Sequence, residues 1–242
     1  MKKIANQILY NLKKEKSSFI SFGVIILITA LILNCAAVLL CQVDSAYDGK
    51  FEELSTATIN AIVPEIQNGS ELEKAIDEIE NVEKTESHTA IMTEATVKDF
   101  NGADFTMNTV FYNIDDKRTL NNFEIVNESE NDVDNPIYIP LYVSNFGGFA
   151  LGDEIVYVIE GKSHSFTVAG VIEEMQYGNY GSGLLCVYLP KEEFAELADS
   201  YSDKAVVEYS MSVKRDASLD EVKDDVSKAI ENKGVMALSI LD

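Results

Sequence analysis

From Phe19 to Cys41 the chain runs 23 residues without a charged side chain. A helix of that length reaches about 35 Å, enough to cross the ~30 Å hydrocarbon core of a bilayer. Val24, Ile25, Ile26, Leu27, Ile28, Leu31, Ile32, Leu33, Val38, Leu39 and Leu40 leave it no polar face, and soluble helices rarely run so long without one. Lys2, Lys3, Lys13, Lys14 and Lys16 precede the segment, and Asp44, Asp48, Glu52 and Glu53 follow it. This lysine asymmetry predicts a cell-membrane span with the N-terminus cytoplasmic and residues 44–242 extracytoplasmic. A cleaved signal peptide fits less well: the apolar run exceeds the usual ~7–15 residues and no small-x-small site follows it. Cys35 follows Asn34 and Cys41 follows Leu40, so neither sits in a lipoprotein signal. Within residues 1–18, Ile4, Ala5, Ile8, Leu9 and Leu12 recur at helical spacing among lysines, as in a short amphipathic helix on the inner membrane surface or a lysine-rich tail that only sets topology.

Charge separates the two parts. The whole chain carries 19 basic and 41 acidic residues, a net charge of -22. Residues 1–43 hold five of the lysines and one glutamate, so residues 44–242 carry 14 basic and 40 acidic groups, or -26. Such a domain would repel phosphates, and no nucleic-acid partner is expected.

The exported part alternates strand and helix patterns. Residues 56–63 read as a strand ended by Pro64. A turn at Asn68-Gly69-Ser70 leads into a helix with a capping box at Ser70 and Glu73 and an apolar face of Leu72, Ala75, Ile76 and Ile79. Residues 83–98 are extended, Asn101-Gly102 is a hairpin turn, and residues 105–112 return. The middle reads as all-β: strands over 137–141, 154–159, 165–172 and 184–189, turns at Gly152-Asp153 and Glu160-Gly161, an acidic loop over 127–135, and a short helix over 191–198 after Pro190. The end mirrors the beginning: a strand over 205–213, a capping box at Ser218 and Glu221, an apolar stripe of Leu219, Val222, Val226 and Ile230, a stop at Gly234, and a closing strand over 235–241. The expected fold class is α+β: one transmembrane helix, then a mixed α/β domain in which two strand-helix-strand units flank an inserted β-rich part at about 115–200.

Catalytic chemistry finds little support. Ser163-His164-Ser165 is the one histidine-serine cluster and opens a strand, not a sharp turn; a nucleophile needs an oriented base beside it. His88 lies among threonines. Cys186, the sole cysteine outside the span, sits in an apolar strand as a small core residue. Asp132 and Asp134 lack the glycine and terminal glutamate of a calcium loop. Gly178, Gly181 and Gly183 run into a strand, so they make no helix-based phosphate cradle. Tyr177 and Tyr180 make that loop aromatic: a candidate partner-contact surface, or a mobile connection. No catalytic residue, cofactor or metal ligand is expected.

Several segments, in order, resemble the N-terminal half of FtsX-like or MacB-like ABC transporter permeases. They are the lead Asn11-Leu12-Lys13-Lys14-Glu15-Lys16; Asn135-Pro136-Ile137-Tyr138-Ile139-Pro140-Leu141 followed by Phe149-Ala150-Leu151-Gly152-Asp153-Glu154-Ile155; Ser165-Phe166-Thr167-Val168-Ala169-Gly170-Val171-Ile172; and Leu185-Cys186-Val187-Tyr188-Leu189-Pro190 followed by Phe194. The resemblance implies a MacB-like periplasmic core domain, porter-like with a β-rich insert. It implies a homodimer or paired permease, and a separate ABC ATP-binding subunit that hydrolyses ATP while the permease transmits the resulting force outward. Family members carry three further spans after this domain, so the sequence is expected to be either a fragment or a single-span relative. A single-pass anchored binding or sensor protein is the alternative from another class, and an anchored enzyme a third.

Overall fold

The computed structural model describes residues 16–65, 69–177 and 183–241, the side chains at 16–19, 41 and 44 excepted. The amphipathic lead expected over residues 1–18 falls almost wholly outside them. The described residues fall into two compact units, divided between Lys50 and Phe51.

The first unit is the body of helix α1, Lys16–Glu53. It is long and apolar enough to cross a membrane. Its apolar side chains, from Ile20 through Leu40, are exposed along the whole length, as an all-round apolar helix requires of a lipid environment.

The second unit is a mixed α/β domain. Its elements are β1 (Ile59–Pro64), α2 (Gly69–Asp77), β2 (Val82–Phe100), β3 (Ala103–Asn113), β4 (Glu124–Glu128), β5 (Pro136–Pro140), α3 (Leu141–Gly147), β6 (Glu154–Ile159), β7 (Lys162–Glu173), β8 (Leu184–Leu189), α4 (Lys191–Ser200), β9 (Ala205–Val213), α5 (Leu219–Asn232) and β10 (Ser239–Leu241). The strands form one sheet in the order β10-β1-β9-β2-β3-β8-β5-β7-β4, with β6 between β2 and β7.

β2 organises this sheet. One of its edges carries β3. The other carries β9 along residues 82–91 and β6 along residues 95–97. Pairing from β2 through β3, β8, β5, β7 and β6 therefore returns to β2 and closes a ring. Inside lies an apolar core that includes Ile91, Val97, Phe111, Ile139, Ile155, Tyr157, Val168, Val187 and Leu189. The ring draws strands from both sides of residue 115.

The open end of the sheet, β10-β1-β9, carries α2 and α5 on one face. Leu72 and Ile76 of α2 and Val222, Val226 and Ile230 of α5 pack on Ile59, Ala61, Val63, Tyr209 and Met211. Ser218 caps α5, its hydroxyl accepting from the Glu221 amide at 3.4 Å. α2 begins at Gly69, so Ser70 falls inside its first turn and not at the expected N-cap; Asn68 lies outside the described residues. The turn at Asn101-Gly102 has both φ positive, at 52° and 84°, the pattern that matches a two-residue hairpin to the strand twist. Two further expectations are corrected. Residues 124–128 extend along β7 as an edge strand, shortening the acidic loop, and a short helix, α3, follows Pro140.

Candidate functional site

The face of the sheet opposite α2 and α5 is where polar side chains are buried. On β9, Val206, Glu208 and Ser210 alternate onto it, and all three are buried. Such alternation ordinarily marks a solvated face. Here the segment after β3 covers it. Glu86 of β2 fixes that segment, accepting hydrogen bonds from the Thr119 amide and hydroxyl and, at 2.6 Å, from the Leu120 amide. Burial raises the Glu86 pKa, but these bonds outweigh it and hold it below the usual carboxylate value. The Asn121 side chain then donates through Nδ2 to Asn60 Oδ1 at 2.7 Å and Ser210 Oγ at 2.8 Å.

Glu208 is fully buried. Tyr112 donates to its Oε2 at 2.8 Å and Tyr177 to its Oε1 at 2.6 Å, and Gln176 also bonds Oε1. Arg118 Nη1 lies 3.8 Å from Oε2, an ion pair without a hydrogen bond. The guanidinium stacks over the Tyr112 ring at 4.5 Å and the Tyr188 ring at 5.4 Å. Burial works against its charge, and Tyr188, Glu208 and Tyr112 outweigh it, so Arg118 stays protonated. A second carboxyl, Glu174, accepts from Tyr188 Oη at 2.9 Å through Oε2. Burial pushes its pKa up to about 7, against the pull of Tyr188 and Arg118. One guanidinium thus faces two carboxyl groups. His88 Nε2 lies 3.2 Å from Glu86, and burial together with the Arg118 charge keeps its pKa below the usual histidine value.

Tyr177 is therefore a core residue. It is 1% exposed and hydrogen-bonded to a buried carboxylate, which corrects its expected place on an exposed contact loop. Tyr180, Gly178 and Gly181 lie outside the described residues. The other candidates stay apart. His164 Nε2 and Tyr201 Oη are 2.7 Å apart, while Ser165 Oγ bonds Glu154 and not the histidine. Cys186 is fully buried beside Ile62, Tyr112 and Tyr188. Asp132 and Asp134 follow β4; no group of His, Cys, Asp or Glu able to hold a metal occurs among the described residues. Sequence reasoning missed Arg118, Glu208 and Glu174. Its available signals were the scarcity of arginine, Arg118 being one of two, and a lone glutamate inside an otherwise uncharged strand, β9.

No family model and no curated protein matches this chain. Among solved structures it is similar to the periplasmic region of MacB from Actinobacillus actinomycetemcomitans, at 11% identity over 79% of this chain and 91% of that one, with a TM-score of 0.36. It is also similar to a domain of a candidate permease from Porphyromonas gingivalis, at 16% identity over 72% and 82%, with a TM-score of 0.34.

Proposed function

We propose that this chain is the permease component of an ABC system of the FtsX/MacB-like type. Its N-terminus is cytoplasmic and its α/β domain works outside the cell membrane. The domain couples ATP hydrolysis by a separate subunit to export or to control of an envelope partner. One observation carries the reading: β10 pairs with β1, Leu241 opposite Asn60. β1 and β10 thus meet at one sheet edge, next to β9, and β9 pairs with β2. Displacement at that edge passes through continuous backbone hydrogen bonds into a strand that also belongs to the ring. The 19 residues of β2 span about 60 Å when extended, a stiff link between the two ends of the domain. The long apolar α1 and the sequence resemblance over residues 135–194 support the same reading. In it the domain itself is not an enzyme, and the permease acts as a homodimer or pair.

The test is affinity purification of the full chain from the membranes of its own cells in mild detergent. The reading expects an ABC ATP-binding subunit in stoichiometric yield and ATPase activity in the eluate. A chain that purifies alone, with no nucleotide-binding protein after cross-linking in intact cells, would overturn it in favour of an anchored binding protein.

A further inference from the structure

The first residues of β7 are paired along one edge and open along the other. Lys162 to Thr167 pair with β6, whereas β5 takes the opposite edge only from Thr167, which stands across from Pro136. The Glu160-Gly161 turn has φ of 49° and 80° and closes on Ile159 opposite Lys162, a two-residue hairpin whose closing pair is hydrogen-bonded. Pairing alternates from there. His164 and Phe166 therefore direct their main-chain groups to β6, while Ser163, Ser165 and Thr167 turn theirs to the other edge. Thr167 does so, its amide donating to the Asn135 carbonyl at 2.8 Å. The corresponding groups of Ser163 and Ser165 meet no strand among the described residues. That open edge borders a cleft of about 410 Å³, which β7 lines with Ser163 to Phe166 and α4 with Glu193, Glu196 and Leu197. Phe166 and Leu197 belong to the buried core of the ring and give the cleft apolar surface. Glu193 and Glu196 lie one turn apart on α4 and have no ion-pair partner among the described residues. His164 is bonded to Tyr201, and burial, then the Lys162 charge, hold its pKa below the usual histidine value, so it does not offset the two carboxylates near neutral pH.

We propose that this groove takes an extended segment of a basic partner polypeptide, added to β7 as a further β-strand. Ser163 and Ser165 exchange main-chain hydrogen bonds with it, which supply affinity without reading sequence. The edge from Ser163 to Phe166 runs about 10 Å, the length of roughly three or four residues of an added strand. Specificity comes from α4. A lysine or arginine on the segment lays its apolar stem on Phe166 and Leu197 and brings its charged head to Glu193 and Glu196. Net charge points to a basic partner and away from a second copy, since two domains of -26 repel one another. This inference stands on the groove alone. It needs no ATP-binding subunit, so it can fail while the transport reading holds, and the reverse.

The test uses the full chain in phosphatidylcholine nanodiscs and a coumarin-labelled peptide, Gly-Ser-Thr-Lys-Thr-Lys-Thr-Ser-Gly-amide. It should bind about tenfold tighter than the same peptide with glutamine at both lysine positions. In the double variant Glu193→Gln with Glu196→Gln the two peptides should bind alike. Two further versions carry N-methyl groups on the main chain, one at its three threonines and one at its two lysines. Successive amides of a strand point to opposite edges, so one version should lose saturable binding and the other should keep it. No saturable binding of the lysine peptide, equal affinity for the lysine and glutamine peptides, or the same response to both methylated versions would overturn the proposal. So would a Ser163→Cys chain that forms an inter-copy disulfide in the membranes of its own cells, which would assign the edge to a second copy.

Discussion

At the scale of single residues, the Tyr177 hydroxyl shows how the buried face is held together. Its bond to Glu208 satisfies a carboxylate that has no access to water. Tyr177→Phe removes that one bond and should cost about 1.5–3 kcal/mol. Tyr177→Ala also leaves a cavity and should cost about 3–5 kcal/mol. Near-ultraviolet circular dichroism of the tyrosines during thermal unfolding reads both, since the chain has no tryptophan. Glu174 gives a pH signature. Its folded pKa of about 7 lies above its ordinary 4.5, so the folded state keeps a proton that the unfolded chain has lost. Its contribution to stability is full below about pH 4.5, declines as pH rises toward 7, and stays lost above that, by at most about 3 kcal/mol. Glu174→Gln should flatten the parent's decline across that window and melt higher than the parent at about pH 8. A parallel offset at every pH would contradict this. Little of the cluster was legible in the sequence. Arg118 follows Asp115, Asp116 and Lys117, a run that reads as solvated, and nothing local says which charge turns inward. Tyr177 precedes glycines that signal an exposed loop, whereas its burial depends on Glu208, 31 positions away.

At the scale of elements, most strands and helices were legible, because each carries its own period or stop signal. β8 begins at Leu184 and ends at Pro190's neighbour as its apolar run dictates, and α5 keeps its stripe and its Ser218 cap. α3 was not, since seven residues make only two turns and give no periodicity to count. Gly170 of β7 shows a contact that only the fold reveals. It lies between Tyr138 of β5 and Glu128 of β4, and a Cβ there would overlap the Tyr138 ring. That ring crosses the glycine so that its hydroxyl meets Glu128 at 2.7 Å; burial, and then this bond, push the Tyr138 pKa up to about 12. Gly170→Ala should destabilise by about 1–3 kcal/mol through overpacking. Pairing it with Tyr138→Ala should recover part of that loss, and a double-mutant cycle of thermal melts measures the coupling.

At the scale of the whole molecule, the two flanking strand-helix-strand units and the β-rich centre were legible from element order. The closed ring was not. β6 joins β2 to β7 across more than sixty residues of chain, and such pairing follows from packing of the complete core, not from local pattern. The ring shares β2 with the open sheet, so a displacement of either part would load a strand common to both. Hydrogen–deuterium exchange of the full chain, assembled in nanodiscs with the ATP-binding subunit that the proposed function calls for, tests directly whether ATP hydrolysis displaces that strand. The account predicts that ATP turnover changes amide exchange in β2, β9 and the segment covering Glu208, and that a non-hydrolysed ATP analogue does not reproduce the full change. Unaltered exchange throughout residues 51–241 while the partner hydrolyses ATP would contradict it.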